Sequence, residues 1–87
     1  MAARNVEQTK VLIVDDHKMV VQGITVLLHK EPNLTVCGHA PDVPQGLTAI
    51  EKTRPNIVIV DLSLQSSHGL DLIKEIKLRY PKISISI

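Results

Sequence analysis

Short apolar runs alternate along this chain with segments in which apolar side chains recur at helical spacing. Three of the runs are rich in β-branched residues, and a fourth alternates isoleucine with serine near residue 87. Continuous β-branched runs are typical of parallel strands that are buried on both faces. We therefore predict four strands: Lys10–Val14, Leu34–Cys37 (ended by Gly38), Ile57–Val60 and Lys82–Ile87.

Three helices are predicted between these strands. The first has apolar residues at i, i+4, i+7 and i+8, which we expect to face the core: Val20, Ile24, Leu27 and Leu28. The second begins after Asp42, which is a favourable N-cap, and ends before the Arg54-Pro55 pair. The third runs from about Leu70 to Tyr80, and Glu75 can pair with Arg79 across one turn.

The strict alternation of strand and helix indicates an α/β fold with a doubly wound parallel sheet and helices on both faces. Crossovers between parallel strands are expected to be right-handed. In such sheets the functional crevice lies at the carboxyl ends of the strands, where the winding direction switches. Residues that directly follow the strands are therefore the first candidates for a site.

Three carboxylates occupy such positions. Asp15 and Asp16 directly follow the first strand, and Asp61 follows the third. If these two strands are neighbours, the three acids converge at one edge of the sheet and repel one another unless a cation lies between them. Mg²⁺, a hard cation that prefers oxygen ligands, fits this requirement. Such a cluster would also favour a phosphoryl group bridged to the protein through the metal.

Composition restricts the other possibilities. The 87 residues suffice for one small domain, which we place at 10–87 after an N-terminal extension at 1–9. The net charge is +1 and Tyr80 is the only aromatic residue, so nothing favours binding to nucleic acid or to a membrane surface. Cys37 is the only cysteine, which suits a reducing compartment. With no apolar leader or spanning segment visible, the expected location is the cytoplasm.

The order of these motifs resembles the receiver domain of response regulators in two-component signalling. The resemblance extends over 10–87 and rests on three segments: Asp15-Asp16-His17, Asp61-Leu62-Ser63-Leu64 and Gly69-Leu70-Asp71. More narrowly, the first two segments are similar to receivers that precede a LuxR-type helix-turn-helix in bacterial transcription regulators, the NarL/FixJ-like type. The resemblance implies a flavodoxin-like fold with strand order 2-1-3-4.

The resemblance also implies a role for each acid. Asp61 would be the phosphoacceptor, taking a phosphoryl group from a phosphohistidine on a sensor histidine kinase. Asp16 would bind Mg²⁺ directly, Asp15 partly through water, and the backbone carbonyl of Ser63 would add a ligand. The chain would transfer a phosphoryl group only to itself, and would not be an enzyme in the ordinary sense. Any regulation of transcription would act through an output domain that this chain does not contain.

Several features depart from the family pattern. A complete receiver has five strand–helix units, and here the fifth strand and the last helices are missing. The Ser/Thr and the Lys that bind phosphate oxygens in the family are missing as well. Ser86 falls too early to be that Ser/Thr, and Gln65-Ser66 replaces a common Pro-Gly pair. We expect the fourth strand to form an open apolar edge that favours pairing with another chain, including a second copy.

Alternatives remain open at this point. The chain would instead be a receiver-like protein-interaction module that cannot complete the switch, or a metal-dependent phosphatase. The phosphatase needs an acid two residues after the nucleophile, where this chain has Ser63. His17 is either a solvated loop residue or a contact to a partner or phosphate. Cys37 is a small core residue or, with His39 and with His17 and His68 from elsewhere in the chain, a zinc ligand. Gly69 is expected to serve a turn.

Overall fold

A computed structural model describes residues 8–62 and 68–87 of the chain. Four strands and three helices alternate along it: β1 (Thr9–Val14), α1 (Lys18–His29), β2 (Leu34–Ala40), α2 (Val43–Thr53), β3 (Ile57–Val60), α3 (His68–Arg79) and β4 (Ser84–Ser86). The strands form one parallel sheet in the order β2-β1-β3-β4. The predicted fold class and strand order are confirmed.

The core lies between the sheet and the pair α2 and α3. Side chains that alternate along β1 and β3 point to this side and meet one fully buried residue of α2 and two of α3. Its buried members are Leu12, Val14, Ile50, Val58, Val60, Leu72 and Ile76. The opposite face of β1 is also buried, through Val11 and Ile13. Burial of β1 on both faces explains why its sequence is continuously apolar.

Local signals explain most of the boundaries. The Asp42 carboxylate accepts a hydrogen bond from the Gln45 backbone N–H at 2.9 Å, as expected of an N-cap. Arg54 ends α2 in the left-handed conformation, with φ of 52°. The Glu75–Arg79 pair on α3 also forms, with a separation of 2.6 Å between Arg79 Nε and Glu75 Oε2.

Strand β2 is longer than predicted, because Gly38 does not end it. The register with β1 shifts between Val11, opposite Val36, and Leu12, opposite Gly38, so Cys37 is the extra residue of a bulge. The bulge lets the strand continue to Ala40. Cys37 is partly buried against the core, in agreement with its interpretation as a small core residue.

The predicted inner face of α1 was wrong in part. Val20 and Leu27 are exposed, whereas Val21 is buried. Apolar residues cover a wide arc of this helix, and the stripe that faces the protein starts one residue later than predicted: Val21, Ile24, Thr25 and Leu28. The helix packs against β2 at one side of the sheet, and this placement decides which part of the arc is covered.

Helix α3 also begins earlier than predicted, at His68 instead of Leu70. Gly69 therefore lies in the first turn of a helix and does not have a positive φ angle. The predicted turn function of this glycine is wrong. A Cβ atom at Gly69 would lie 3.0 Å from the Asp61 carbonyl oxygen and 3.2 Å from Leu62 Cα, so close approach of two backbones is what requires glycine.

Candidate functional site

The carboxyl ends of β1 and β3 bring the three predicted acids together. Val14 is the register partner of Val60, and each is followed directly by an aspartate. The backbone N–H of Asp61 donates to the Val14 carbonyl at 3.0 Å, and that of Asp15 donates to the Ala40 carbonyl at 2.9 Å. The backbone hydrogen bonds of the sheet thus include both acids and fix the positions of their Cα atoms.

The three acids differ in exposure. The side chain of Asp15 is 7% exposed, that of Asp61 is 22% exposed and that of Asp16 is 32% exposed. Asp15 is therefore held inside the site, while the other two carboxylates remain open to a ligand arriving from solvent. A cavity of about 270 Å³ opens beside Asp15 and Asp16, between the start of α1 and the end of β2.

His17 also belongs to this cluster. The sequence did not lead us to predict that its ring would contact the acids. Its ring Nδ1 lies 2.9 Å from Asp15 Oδ1, 3.0 Å from Asp16 Oδ1 and 3.4 Å from Asp61 Oδ2. Its backbone N–H also donates to Asp15 Oδ1 at 2.8 Å. This local turn was a usable signal, because aspartate side chains commonly accept from the backbone N–H two residues later.

Electrostatics follow from this geometry. The hydrogen bond to Asp15 raises the pKa of His17 above its ordinary value, and the negative charges of Asp16, Asp15 and Asp61 act in the same direction. The ring is more than half exposed, with 57% of the side chain accessible, so solvent reaches it.

The arrangement fits a divalent cation. One ligand atom from each of Asp15, Asp16, His17 and Asp61 can be chosen so that all four lie within 4.8 Å of one another. Three carboxylates at this distance repel strongly, and a hard cation with oxygen ligands removes that repulsion. Within residues 8–62 and 68–87, Cys37 and His39 belong to no such group, which argues against the zinc alternative. Ser63, expected to offer its carbonyl, lies outside the described residues.

Comparison with known families agrees with the geometry. The family described as the response regulator receiver domain matches residues 11–87. The chain belongs to this family. Receiver domains bind Mg²⁺ at an acidic pocket, and this receiver has the corresponding acidic cluster. Among the helices of the described residues, none combines the length and apolarity that a bilayer crossing requires.

Relatives and solved structures place the receiver more narrowly. It is 32% identical over 74 residues to the DNA-binding transcriptional activator DevR/DosR of Mycobacterium tuberculosis, covering 85% of this chain and 34% of that protein. The isolated receiver of RcsB from Salmonella enterica serovar Typhimurium, solved with the phosphomimetic BeF₃⁻, superposes with a TM-score of 0.82 at 32% identity. That match covers 91% of this chain and 59% of the RcsB chain. These similarities confirm the resemblance to receivers of LuxR-type regulators.

The family includes proteins with a different output. A protein-glutamate methylesterase/protein-glutamine glutaminase of Pyrococcus horikoshii is 35% identical over 72 residues, covering 83% of this chain and 20% of the relative. The chain thus spans about a fifth to a third of the length of these curated relatives. Similarity of the receiver alone does not assign an output, because both transcription regulators and methylesterases carry one.

Proposed function

We propose that this receiver is the phosphoacceptor of a two-component relay. Asp61 would accept a phosphoryl group from the phosphohistidine of a sensor histidine kinase, and the modified receiver would regulate transcription through an output domain in the cytoplasm. Asp15, Asp16 and Asp61, with the backbone carbonyl of Ser63, would hold the Mg²⁺ ion. Pairing of two copies through β4, which lies at an edge of the sheet, remains a prediction.

The observation that carries this proposal is the convergence of three carboxylates at the ends of two adjacent strands. A lone strand-end acid is ordinary, but here the ladder hydrogen bonds of Asp15 and Asp61 fix both acids at one edge. The acids also differ in exposure as the proposal requires. Asp61 is accessible to an incoming phosphoryl group, whereas Asp15 is nearly buried and suited to holding a cation.

In the proposed reaction an Asp61 carboxylate oxygen attacks phosphorus in line with the phosphohistidine nitrogen. The O–P bond of an acyl phosphate forms, the N–P bond breaks, and the kinase imidazole leaves with the electron pair of that bond. Bound Mg²⁺ supplies charge neutralisation between the carboxylate and the phosphoryl oxygens. The remaining work is positioning, which the rigid ends of β1 and β3 perform.

Gly69 supports the position of the acceptor. The first turn of α3 approaches the Asp61 carbonyl closely enough that a Cβ atom at residue 69 would lie 3.0 Å away. Any side chain at residue 69 would therefore press on the backbone of Asp61. The acceptor therefore sits between a strand ladder and a helix turn, with little freedom to move when charge accumulates on it.

A small phosphodonor tests the proposal directly. The chain is incubated with Mg²⁺ and acetyl phosphate, and the intact mass is measured with and without a chelator. We expect one phosphate adduct that requires Mg²⁺ and is absent in Asp61→Asn. Asp42→Asn is the matched control, because the Asp42 carboxylate caps α2 and is not a member of the acid cluster, and asparagine caps a helix equally well.

The outcomes separate the two leading candidates. An adduct that persists in Asp61→Asn would contradict the assigned acceptor. A folded wild-type chain that forms no adduct with Mg²⁺ would favour the protein-interaction module instead. Circular dichroism of each variant establishes that a missing adduct does not come from unfolding.

A further inference from the structure

His17 is the one member of the acid cluster to which the proposed function gives no role. Its ring stands at the mouth of the site, yet Nδ1 is turned toward the three carboxylates and lies 2.9 to 3.4 Å from one oxygen of each. We propose that His17 is a nitrogen ligand of the bound metal, so that this site favours divalent transition-metal ions that bind imidazole. The inference rests on the proposed function for the presence of a metal at these acids.

The separations that allow a hydrogen bond between His17 and Asp15 also suit ligands that share one ion. Two neighbouring donors of an octahedral centre are about 3.0 Å apart, since metal–ligand bonds are about 2.1 Å long. The separations of Nδ1 from Asp15 Oδ1 and Asp16 Oδ1 are 2.9 and 3.0 Å. Opposite donors of such a centre are about 4.2 Å apart, and the four donor atoms all lie within 4.8 Å. Little rearrangement would bring all four donors onto one metal.

The backbone already holds His17 in place. Its N–H donates to Asp15 Oδ1 at 2.8 Å, and its carbonyl accepts from the Val21 N–H at 3.1 Å in the first turn of α1. The ring therefore starts from a fixed point beside the acids. A ligand that is positioned before the metal arrives loses less conformational entropy on binding, which favours its use.

The chemistry of the ligands then determines which ion is bound more strongly. Mg²⁺ prefers oxygen donors, demands regular octahedral geometry and keeps several waters. Imidazole suits zinc, copper, iron and nickel, and affinity for a mixed nitrogen–oxygen site rises from Mn²⁺ through Co²⁺ toward Cu²⁺. His17 should therefore strengthen binding of Co²⁺ much more than binding of Mg²⁺. With His17 added to the four ligands proposed above, an octahedral centre would keep one open position, for a phosphoryl oxygen.

The test compares one transition metal with Mg²⁺ in three proteins: wild type, His17→Ala and the control His29→Ala. His29 is an exposed histidine at the end of α1, outside the metal-binding group. Co²⁺ binding is followed by its visible absorbance and Mg²⁺ binding by calorimetry, with all three proteins at the same pH. We expect His17→Ala to weaken Co²⁺ binding about tenfold or more and to change its absorbance spectrum. Mg²⁺ affinity should stay within about twofold, because Mg²⁺ prefers oxygen donors.

A second readout observes the ligand itself. In a histidine-labelled chain, a diamagnetic ion such as Zn²⁺ should shift the Nδ1 resonance of His17 and leave that of His29 in place. The inference is overturned if His17→Ala binds Co²⁺ like wild type, if Co²⁺ and Mg²⁺ weaken by the same factor, or if Zn²⁺ leaves the Nδ1 resonance unmoved.

Failure of this inference is distinguishable from failure of the proposed function. If Mg²⁺ supports the Asp61 adduct but removal of the His17 ring does not affect Co²⁺ binding, the phosphoacceptor stands and His17 is not a ligand. If Co²⁺ binding depends on His17 but acetyl phosphate yields no adduct on a folded chain, the metal site stands and the phosphoacceptor does not.

Discussion

Alanine substitution of three glycines should separate helix propensity from close backbone packing in this receiver. Gly23 lies in the middle of α1, and a Cβ atom there would meet nothing within 4 Å. Gly69 lies in the first turn of α3, and its Cβ would approach the Asp61 carbonyl at 3.0 Å. Gly46 is intermediate, because its Cβ would meet the Val14 side chain at 3.3 Å.

The expected magnitudes follow from these contacts. Alanine is better than glycine in a helix interior by about 1 kcal/mol, so Gly23→Ala should gain nearly that amount. At Gly69 the same change forces apart two backbones, and overpacking of this kind costs about 1–3 kcal/mol. After the helix preference of about 1 kcal/mol is subtracted, the net loss at Gly69 should be about 0–2 kcal/mol. Gly46→Ala should lie between the two, because a valine side chain adjusts more readily than a carbonyl group.

Thermal unfolding followed by circular dichroism measures the series. A change of 1 kcal/mol shifts Tm by about 4–8 °C in a domain of this size, so the Tm of Gly23→Ala should lie above the Tm of Gly69→Ala by at least that much. Gly69→Ala should also form the Asp61 adduct more slowly than Gly46→Ala, because its clash falls on the acceptor backbone. If Gly69→Ala is as stable as Gly23→Ala and is labelled at the wild-type rate, the close-approach argument is wrong.

Substitutions at three further positions probe the fold by urea denaturation. Ile50→Ala should lower the free energy of unfolding by about 2–5 kcal/mol, because this α2 side chain is fully buried; a loss below about 1 kcal/mol would contradict its place in the core. Asp42→Ala should cost about 1 kcal/mol by removing the cap on the Gln45 N–H, and Asp42→Asn should restore most of it. Glu75→Ala should cost at most about 0.5 kcal/mol, since Arg79 is exposed and Glu75 is partly exposed, so that solvent screens the pair; a larger loss would contradict this reasoning.

Much of the fold was predictable because its signals are local in the sequence. Strands β1 and β3 are continuous apolar runs that end at acids, and Asp42 and the Arg54-Pro55 pair mark the two ends of α2. The convergence of Asp15 and Asp61 followed from parallel strands having their carboxyl ends at one edge. That step required only that β1 and β3 be neighbours, which the structure shows.

The errors arose where the outcome depends on pairing between distant residues. Gly38 looks like a strand end, but the bulge at Cys37 exists only because β1 pairs with β2 in a shifted register. The apolar arc of α1 is too wide for periodicity to choose between Val20 and Val21, and packing on the sheet makes that choice. The His17 ring meets Asp15 and Asp16 within one local turn, but its approach to Asp61 depends on β1 pairing with β3.

The central claim is that residues 15, 16 and 61 share one cation, and a calorimetric Mg²⁺ titration tests it most directly. The wild-type chain should bind one ion. Asp15→Asn, Asp16→Asn and Asp61→Asn should each weaken that binding by about tenfold or more, since even outer-shell partners of metal sites contribute about 10–100-fold. A folded wild-type chain that takes up no Mg²⁺, or three variants that bind it with unchanged affinity, would contradict the account.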